Sequence, residues 1–285
     1  MKQHWLAVTL LFVVATAWGM TFTLVKNVLT RIAPEPFIFL RFTLAGVVLL
    51  LFAFGVRAMP RSALRPGAIL GLLVLSGYWC QTRGLLTITP SRSAFLTGLY
   101  VVMVPFADRL LYRTRIAPRA WIGSVIALIG TSLLLGGFDA RPQSGDLLTI
   151  ACAVAFAMHI VLSAKYSART SPLGLAAIQV LVVGLGAGPF VRHVSLTKEV
   201  AWVVVFTAIV TTALAFVALM WGQARVTATE AAVILAFEPV AASITSVVFD
   251  HEPIGAAFLT GAALILIAMI LSQLPESPRR DPIAP

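Results

Sequence analysis

Apolar residues in this chain run in long stretches without the alternation of a half-buried strand. Ten stretches stand out: Trp5–Val25, Pro36–Val56, Gly67–Ile88, Ser93–Leu111, Ala120–Phe138, Leu147–Ala164, Pro172–Phe190, Val200–Gln223, Ala231–Phe249 and Pro253–Leu274. A helix needs about 20 mostly apolar residues to cross a bilayer. Lipid tolerates only helices and closed barrels, and continuous runs favour the helix. The pattern therefore predicts an all-α integral membrane protein with ten transmembrane helices and no soluble domain. Polar positions fall in short connections punctuated by proline, among them Pro34-Glu35-Pro36, Met59-Pro60, Arg65-Pro66, Thr89-Pro90 and Ala117-Pro118. Such connections make consecutive helices antiparallel neighbours. The tail Pro275–Pro285 is polar, has four prolines and is expected to be disordered.

A second pattern lies over the first. Shifting the chain by 138 positions, without a gap, brings Met20 onto Met158, Pro34 onto Pro172, Gly84 onto Gly222, Ala94 onto Ala232 and Gly123 onto Gly261. The chain reads as two related units, residues 1–138 and 139–274, with 275–285 as the tail. They meet at Gly136–Asp146, where Gly, Asp, Arg, Pro, Gln and Ser cluster. Each unit has five apolar segments. Five is odd, so the second unit is inverted relative to the first. Inverted repeats are characteristic of secondary transporters and set the substrate site near the bilayer midplane.

Composition agrees with the membrane reading. Apolar residues make up 59% of the chain and charged residues 11%, against about 45–50% and about 25% in soluble domains. The net charge of +10 is a topological signal. Thirteen Lys and Arg fall on one side and eight on the other, with the clusters Arg57–Arg65 and Arg109–Arg119 on the richer side. Positive loops stay inside, which puts both termini in the cytoplasm. These arginines lie at membrane edges beside anionic headgroups, so no nucleic-acid partner is expected. Lys2, an apolar run and Ala15-Thr16-Ala17 resemble a signal peptide. The same segment aligns with Leu147–Ala164 under the repeat and is read as a retained helix. Cys80 and Cys152 lie in separate apolar segments and read as free thiols. Glycines at Gly67-x-x-x-Gly71 and Gly184-x-Gly-x-Gly188 read as close helix contacts.

Ionisable groups within apolar segments are costly and default to functional candidates. Glu238 follows seven apolar residues and precedes eleven uncharged ones. Pro239, next to it, removes a backbone donor and predicts a kink. The offset equates Glu238 with Tyr100 and His159 with Thr21. Pro105, one turn beyond the position equivalent to Pro239, predicts a kink in segment four at a different depth. Thr21, Tyr100, His159 and Glu238 are thus a candidate polar set in one cavity, although His159 and Glu238 also suit helix packing. Trp18, Tyr78, Trp79, Phe156, Trp221 and Phe237 surround them, with Trp18 and Tyr78 the candidates for a wall. The substrate-binding residues expected are Trp18, Thr21, Tyr78, Tyr100, His159 and Glu238. Arg41 and Arg83 sit near the external ends of their segments and are expected to snorkel or to ring the outer mouth. No basic residue is expected deep in the membrane, which disfavours a phosphate substrate. No Gly-x-x-x-x-Gly-Lys loop, metal motif or catalytic triad pattern appears, so neither an enzyme nor a cofactor is expected.

Further residues give a resemblance. Ala17-Trp18-Gly19, Pro34 and Arg41, Phe237-Glu238-Pro239-Val240, Phe249-Asp250-His251-Glu252-Pro253 and Gly261-Ala-Ala-Leu-Ile-Leu occur in order across residues 5 to 273. In these the chain resembles the drug/metabolite transporter superfamily, specifically its EamA-type exporters with ten helices in two five-helix repeats. Within that group it is similar to bacterial aromatic amino acid exporters. The first half departs from the pattern, with Thr114 where the second half has Glu252, and with a shifted proline. The resemblance implies a multi-pass protein of the bacterial inner membrane that exports aromatic or amphipathic amino acids by alternating access. Its partners would be a small-molecule substrate and the lipid bilayer, and a monomer is compatible with the sequence. The substrate ammonium would seek Glu238. The ring would lie among Trp18, Tyr78 and Tyr100. The carboxylate would need backbone amides at a kink, His159 or Thr21. Glu238 and aromatic walls would equally serve a cationic drug or a purine, and a non-transporting scaffold is the reading from another class.

The topology is testable. A single cysteine at Ser144 should react with an impermeant thiol reagent added outside intact cells. Labelling only after lysis would contradict the inverted-repeat assignment.

Overall fold

In the computed structural model, residues 2–113, 118–134, 143–250 and 255–273 are described. They form an all-helical bundle. The first half comprises α1 (Lys2–Val28), α2 (Pro34–Gly55), α3 (Leu64–Gly84), α4 (Pro90–Gly98), α5 (Tyr100–Tyr112) and α6 (Pro118–Leu134). The second comprises α7 (Ser144–Ser167), α8 (Pro172–Ala187), α9 (Lys198–Ala208), α10 (Ala215–Gln223), α11 (Ala228–Leu235), α12 (Glu238–Asp250) and α13 (Ala256–Gln273). Among the described residues, eight stretches are long and apolar enough to cross a bilayer; two shorter apolar stretches, Trp121–Gly130 and Leu259–Ala268, lie on α6 and α13. Most of the connection between the halves, Thr114, the motif His251-Glu252-Pro253 and the tail lie outside the described residues.

The helix starts follow from local chemistry. Pro34, Pro90 and Pro172 open α2, α4 and α8, at the position where a missing N–H costs nothing. The Thr89 hydroxyl accepts from the Arg92 amide (3.3 Å) and Ser171 from the Gly174 amide (3.1 Å). At α11, Thr227 and Glu230 exchange side-chain and backbone bonds of 3.2 and 2.8 Å, a capping box.

The offset of 138 recurs in the architecture. α2 and α8, α4 and α11, α5 and α12, and α6 and α13 begin 138 residues apart. The packing also exchanges in pairs. α2 lies on α8 and α6 on α13. The contact of α3 with α7 is matched by α1 with α10, and that of α5 with α7 by α1 with α12.

Three predicted segments are not single α-helices. Segment nine breaks at Ala236–Phe237, between α11 and α12. Pro239 becomes the second residue of α12, so it starts a new helix rather than kinking a running one. Segment four breaks at Leu99, between α4 and α5. This corrects the expected kink at Pro105, which sits inside α5. Gly98, a weak helix former, marks the break instead, and both breaks fall at equivalent depth. Leu99 and Ala236 keep near-helical backbone angles (φ −57°, ψ −20° and φ −63°, ψ −2°), so each break is a tight junction between two helices, not an unwound loop. Segment eight contains a π turn, Ile209–Leu214, between α9 and α10.

Glycines let the helices meet at backbone distance. A Cβ on Gly71 would lie 2.6 Å from Val182 Cβ, and one on Gly46 would lie 2.8 Å from Leu181 Cα. Gly19 on α1 matters most for the site. A Cβ there would run into the Glu238 carbonyl oxygen and lie 2.7 Å from Ala241 Cβ. The absent side chain brings α1 against the start of α12.

Gly19→Ala should therefore destabilise the protein by about 1–3 kcal/mol, read as a lower unfolding temperature in detergent. An unchanged unfolding temperature would mean that α1 and α12 do not approach at this residue.

Candidate functional site

The breaks in the two discontinuous helices open onto one cavity. Tyr100 is the first residue of α5 and Glu238 the first of α12, and both line it. Trp18 and Thr21 come from α1, Tyr78 from α3 and His159 from α7, so all six residues singled out in the sequence face the same space. The cavity is narrow, about 50 Å³, room for a few waters.

Its walls are aromatic. Tyr78 packs edge-on to Phe156 (5.6 Å between ring centroids) and to Phe42 (4.8 Å), and Trp18 lies 5.8 Å from Phe216. The other aromatics noted in the sequence lie elsewhere. Trp79 packs on Phe190, Phe237 on Phe12, and Trp221 beneath the Arg225 guanidinium.

The polar groups are few and unequally satisfied. Thr21 donates to the Trp18 carbonyl oxygen (2.7 Å). His159 Nε2 is 2.7 Å from Gln179 Oε1, and Ser163 donates to the His159 carbonyl oxygen. His159 thus ties α7 to α8 as well as facing the cavity. The Tyr100 hydroxyl is buried and makes no hydrogen bond to the described protein. Glu238 is 7% exposed and forms no ion pair among the described residues. It lines the cavity together with Tyr78 and Tyr100. Its place at the start of α12 supports a negative charge, because unsatisfied backbone N–H groups gather there.

Arg41 departs from expectation. It does not snorkel; it is 3% exposed and lines the cavity. Seven residues into α2 is about 10 Å from the helix start, and neighbouring helices cover it. Arg41 Nε donates to Thr212 Oγ1 (2.7 Å) and Nη2 to Thr211 Oγ1 (3.2 Å). The Thr211 carbonyl oxygen accepts from Trp18 Nε1 (2.8 Å). Sequence reasoning missed Thr211 and Thr212. The available signal was two adjacent hydroxyls inside segment eight. The companion expectation, that the interior lacks a basic group, is corrected with them. Arg83 does not line the cavity: its side chain is half exposed, pairs with Glu35 and sits 5.3 Å from the Trp79 ring centroid.

Twelve of the eighteen lining residues form six pairs at the 138 offset: Trp18 with Phe156, Thr21 with His159, Phe22 with Ile160, Tyr78 with Phe216, Gln81 with Leu219, and Tyr100 with Glu238. Five of the remaining six belong to the first half. Three of these, Val25, Thr82 and Leu85, lie where α1 and α3 end, so the cavity extends toward that end of the bundle.

The model of the EamA-like transporter family matches residues 5–136 and again 143–274. An uncharacterised transporter of Archaeoglobus fulgidus is 32% identical over 270 residues, 93% of this chain and 84% of that protein. The uncharacterised transporter YyaM of Bacillus subtilis is 23% identical over 275 residues, 90% of this chain and 89% of its own length. A solved crystal structure with 22% identity aligns at a TM-score of 0.77 over 93% of this chain and 96% of its own, a likeness of fold.

Proposed function

The chain belongs to the EamA-like transporter family, and we propose that it exports aromatic or similarly amphipathic amino acids across the bacterial inner membrane. In this reading residues 1–138 and 139–274 are inverted halves with both termini cytoplasmic. Alternating access moves the substrate through the cavity between them. The observation that supports it is the cavity itself: aromatic walls around a buried carboxylate, Glu238, that has no ion-pair partner among the described residues.

The chemistry follows from the lining. The rings of Trp18, Tyr78, Phe156 and Phe216 suit a planar apolar body. Glu238 offers the charge that an ammonium seeks, and the Tyr100 hydroxyl is an adjacent donor or acceptor. A space of a few waters does not hold an amino acid, so loading requires the walls to part, as lids and gates do elsewhere. Export of a cationic drug remains the competing transport reading, since Glu238 and the rings would serve it too. Buried Arg41 weighs against it, because it sets a positive charge in the same wall. Each half of the protein would contribute one face of the site, so a monomer suffices.

Counterflow in proteoliposomes tests this. Phenylalanine or tryptophan should exchange much faster than glutamate or a sugar phosphate. Equal or faster exchange of the phosphate would contradict the amino acid reading, and no flux of any solute would favour a scaffold. Glu238→Gln keeps the shape and removes the charge. Losing a charge-assisted hydrogen bond should lower phenylalanine counterflow about tenfold or more. A folded Gln variant with unaltered affinity and rate would remove Glu238 from the site.

A further inference from the structure

Arg41 is a buried cation that the aromatic cavity and its carboxylate leave over. Desolvating an unpaired charge is costly unless a counter-charge compensates. Among the described residues no acidic side chain pairs with it. Its bonds to Thr211 and Thr212 are to neutral oxygens, which orient the guanidinium without neutralising it. Its Nη1 donates to neither threonine.

The anchoring is built rather than incidental. The two threonines belong to the π turn Ile209–Leu214, a geometry found frequently at functional sites. The same turn holds Trp18 through the Thr211 carbonyl oxygen. The guanidinium carbon lies 5.2 Å from the ring centroids of both Tyr78 and Phe42, which sets it against these rings.

The repeat supplies a control. The residue equivalent to Arg41 at the 138 offset is Gln179, also fully buried, and it ties α8 to α7 through His159. A neutral amide thus suffices for helix-to-helix tying at this position. The first half instead carries a full charge there, with a forked donor edge suited to a carboxylate. The side chains expected from the sequence to take a carboxylate are otherwise engaged: His159 with Gln179, and Thr21 with the Trp18 carbonyl.

We infer that Arg41 binds the substrate carboxylate while Glu238 takes the ammonium, so that the cavity selects zwitterions over compounds bearing only one of the two charges. This rests on the amino acid reading of the same cavity. Two opposite charges that line one space without pairing with each other form a dipolar receptor. Arg41 is the specificity-determining member, because the carboxylate separates an amino acid from an aromatic amine.

The experiment is competition against radiolabelled phenylalanine counterflow in proteoliposomes. The competitors are phenylalanine, its methyl ester, phenethylamine and 3-phenylpropionate. Wild-type protein should prefer phenylalanine to the ester and to phenethylamine about tenfold or more. In Arg41→Gln the ester and phenylalanine should compete within about threefold of each other, while 3-phenylpropionate, which lacks the ammonium, stays weak. If Arg41→Gln does not fold, Arg41→Met is read in the same assay, since apolar replacement of a buried ion is often tolerated. A folded variant that keeps the wild-type ratio of phenylalanine to ester would overturn the inference and leave the amino acid reading standing. Wild-type protein that exchanges phenethylamine as well as phenylalanine would overturn it in the same way. Wild-type protein that exchanges no amino acid would overturn both.

Discussion

Polar groups that a bilayer cannot hydrate must find partners inside the protein, and this chain gathers them around one space. Breaking a helix in lipid exposes backbone, which is tolerated only where the break faces protein or a cavity. The breaks at Leu99 and Ala236–Phe237 lead directly into Tyr100 and Glu238, and both face the cavity. The carbonyl and hydroxyl groups of the π turn at Ile209–Leu214 are taken up by Trp18 and Arg41, which line the cavity. Close packing makes this possible. Without a side chain on Gly19, α1 reaches the backbone of α12 at Glu238 and holds Trp18 and Thr21 beside it.

Symmetry and its violations divide the labour. The six residue pairs that line the cavity give it two related faces. The faces are not chemically equal. Tyr100 opposes Glu238, Thr21 opposes His159, and Arg41 has Gln179 as its counterpart. Ancestral duplication supplies the enclosure, and the unmatched residues supply charge. Glu238 comes from the second half and Arg41 from the first, so a ligand using both would bridge the halves. Motion of one half against the other would then act on the ligand directly.

Much of this was legible in the sequence. Length and apolarity disclosed the helices, and a single offset disclosed the repeat down to equivalent helix starts. The shared cavity of Trp18, Thr21, Tyr78, Tyr100, His159 and Glu238 followed from pairing residues across that offset, because symmetry-related positions face the same centre. What stayed hidden depended on packing. Pro105 looked like the site of a kink, yet it lies inside α5 and segment four breaks at Leu99 instead. The π turn has neither proline nor glycine to announce it. Arg41 looked peripheral because its distance from the segment end is one helix side chain's reach from the headgroups. Its burial is decided by α9 and the π turn that follows it, which pack over α2, and no local pattern encodes that.

The central claim is that substrate lies in this cavity, spanning the two halves. A structure of the protein determined with bound phenylalanine tests it most directly. The account predicts the ring among Trp18, Tyr78, Phe156 and Phe216, with the ammonium toward Glu238. Phenylalanine bound outside the cavity, or inside it with the ammonium away from Glu238, would contradict the account.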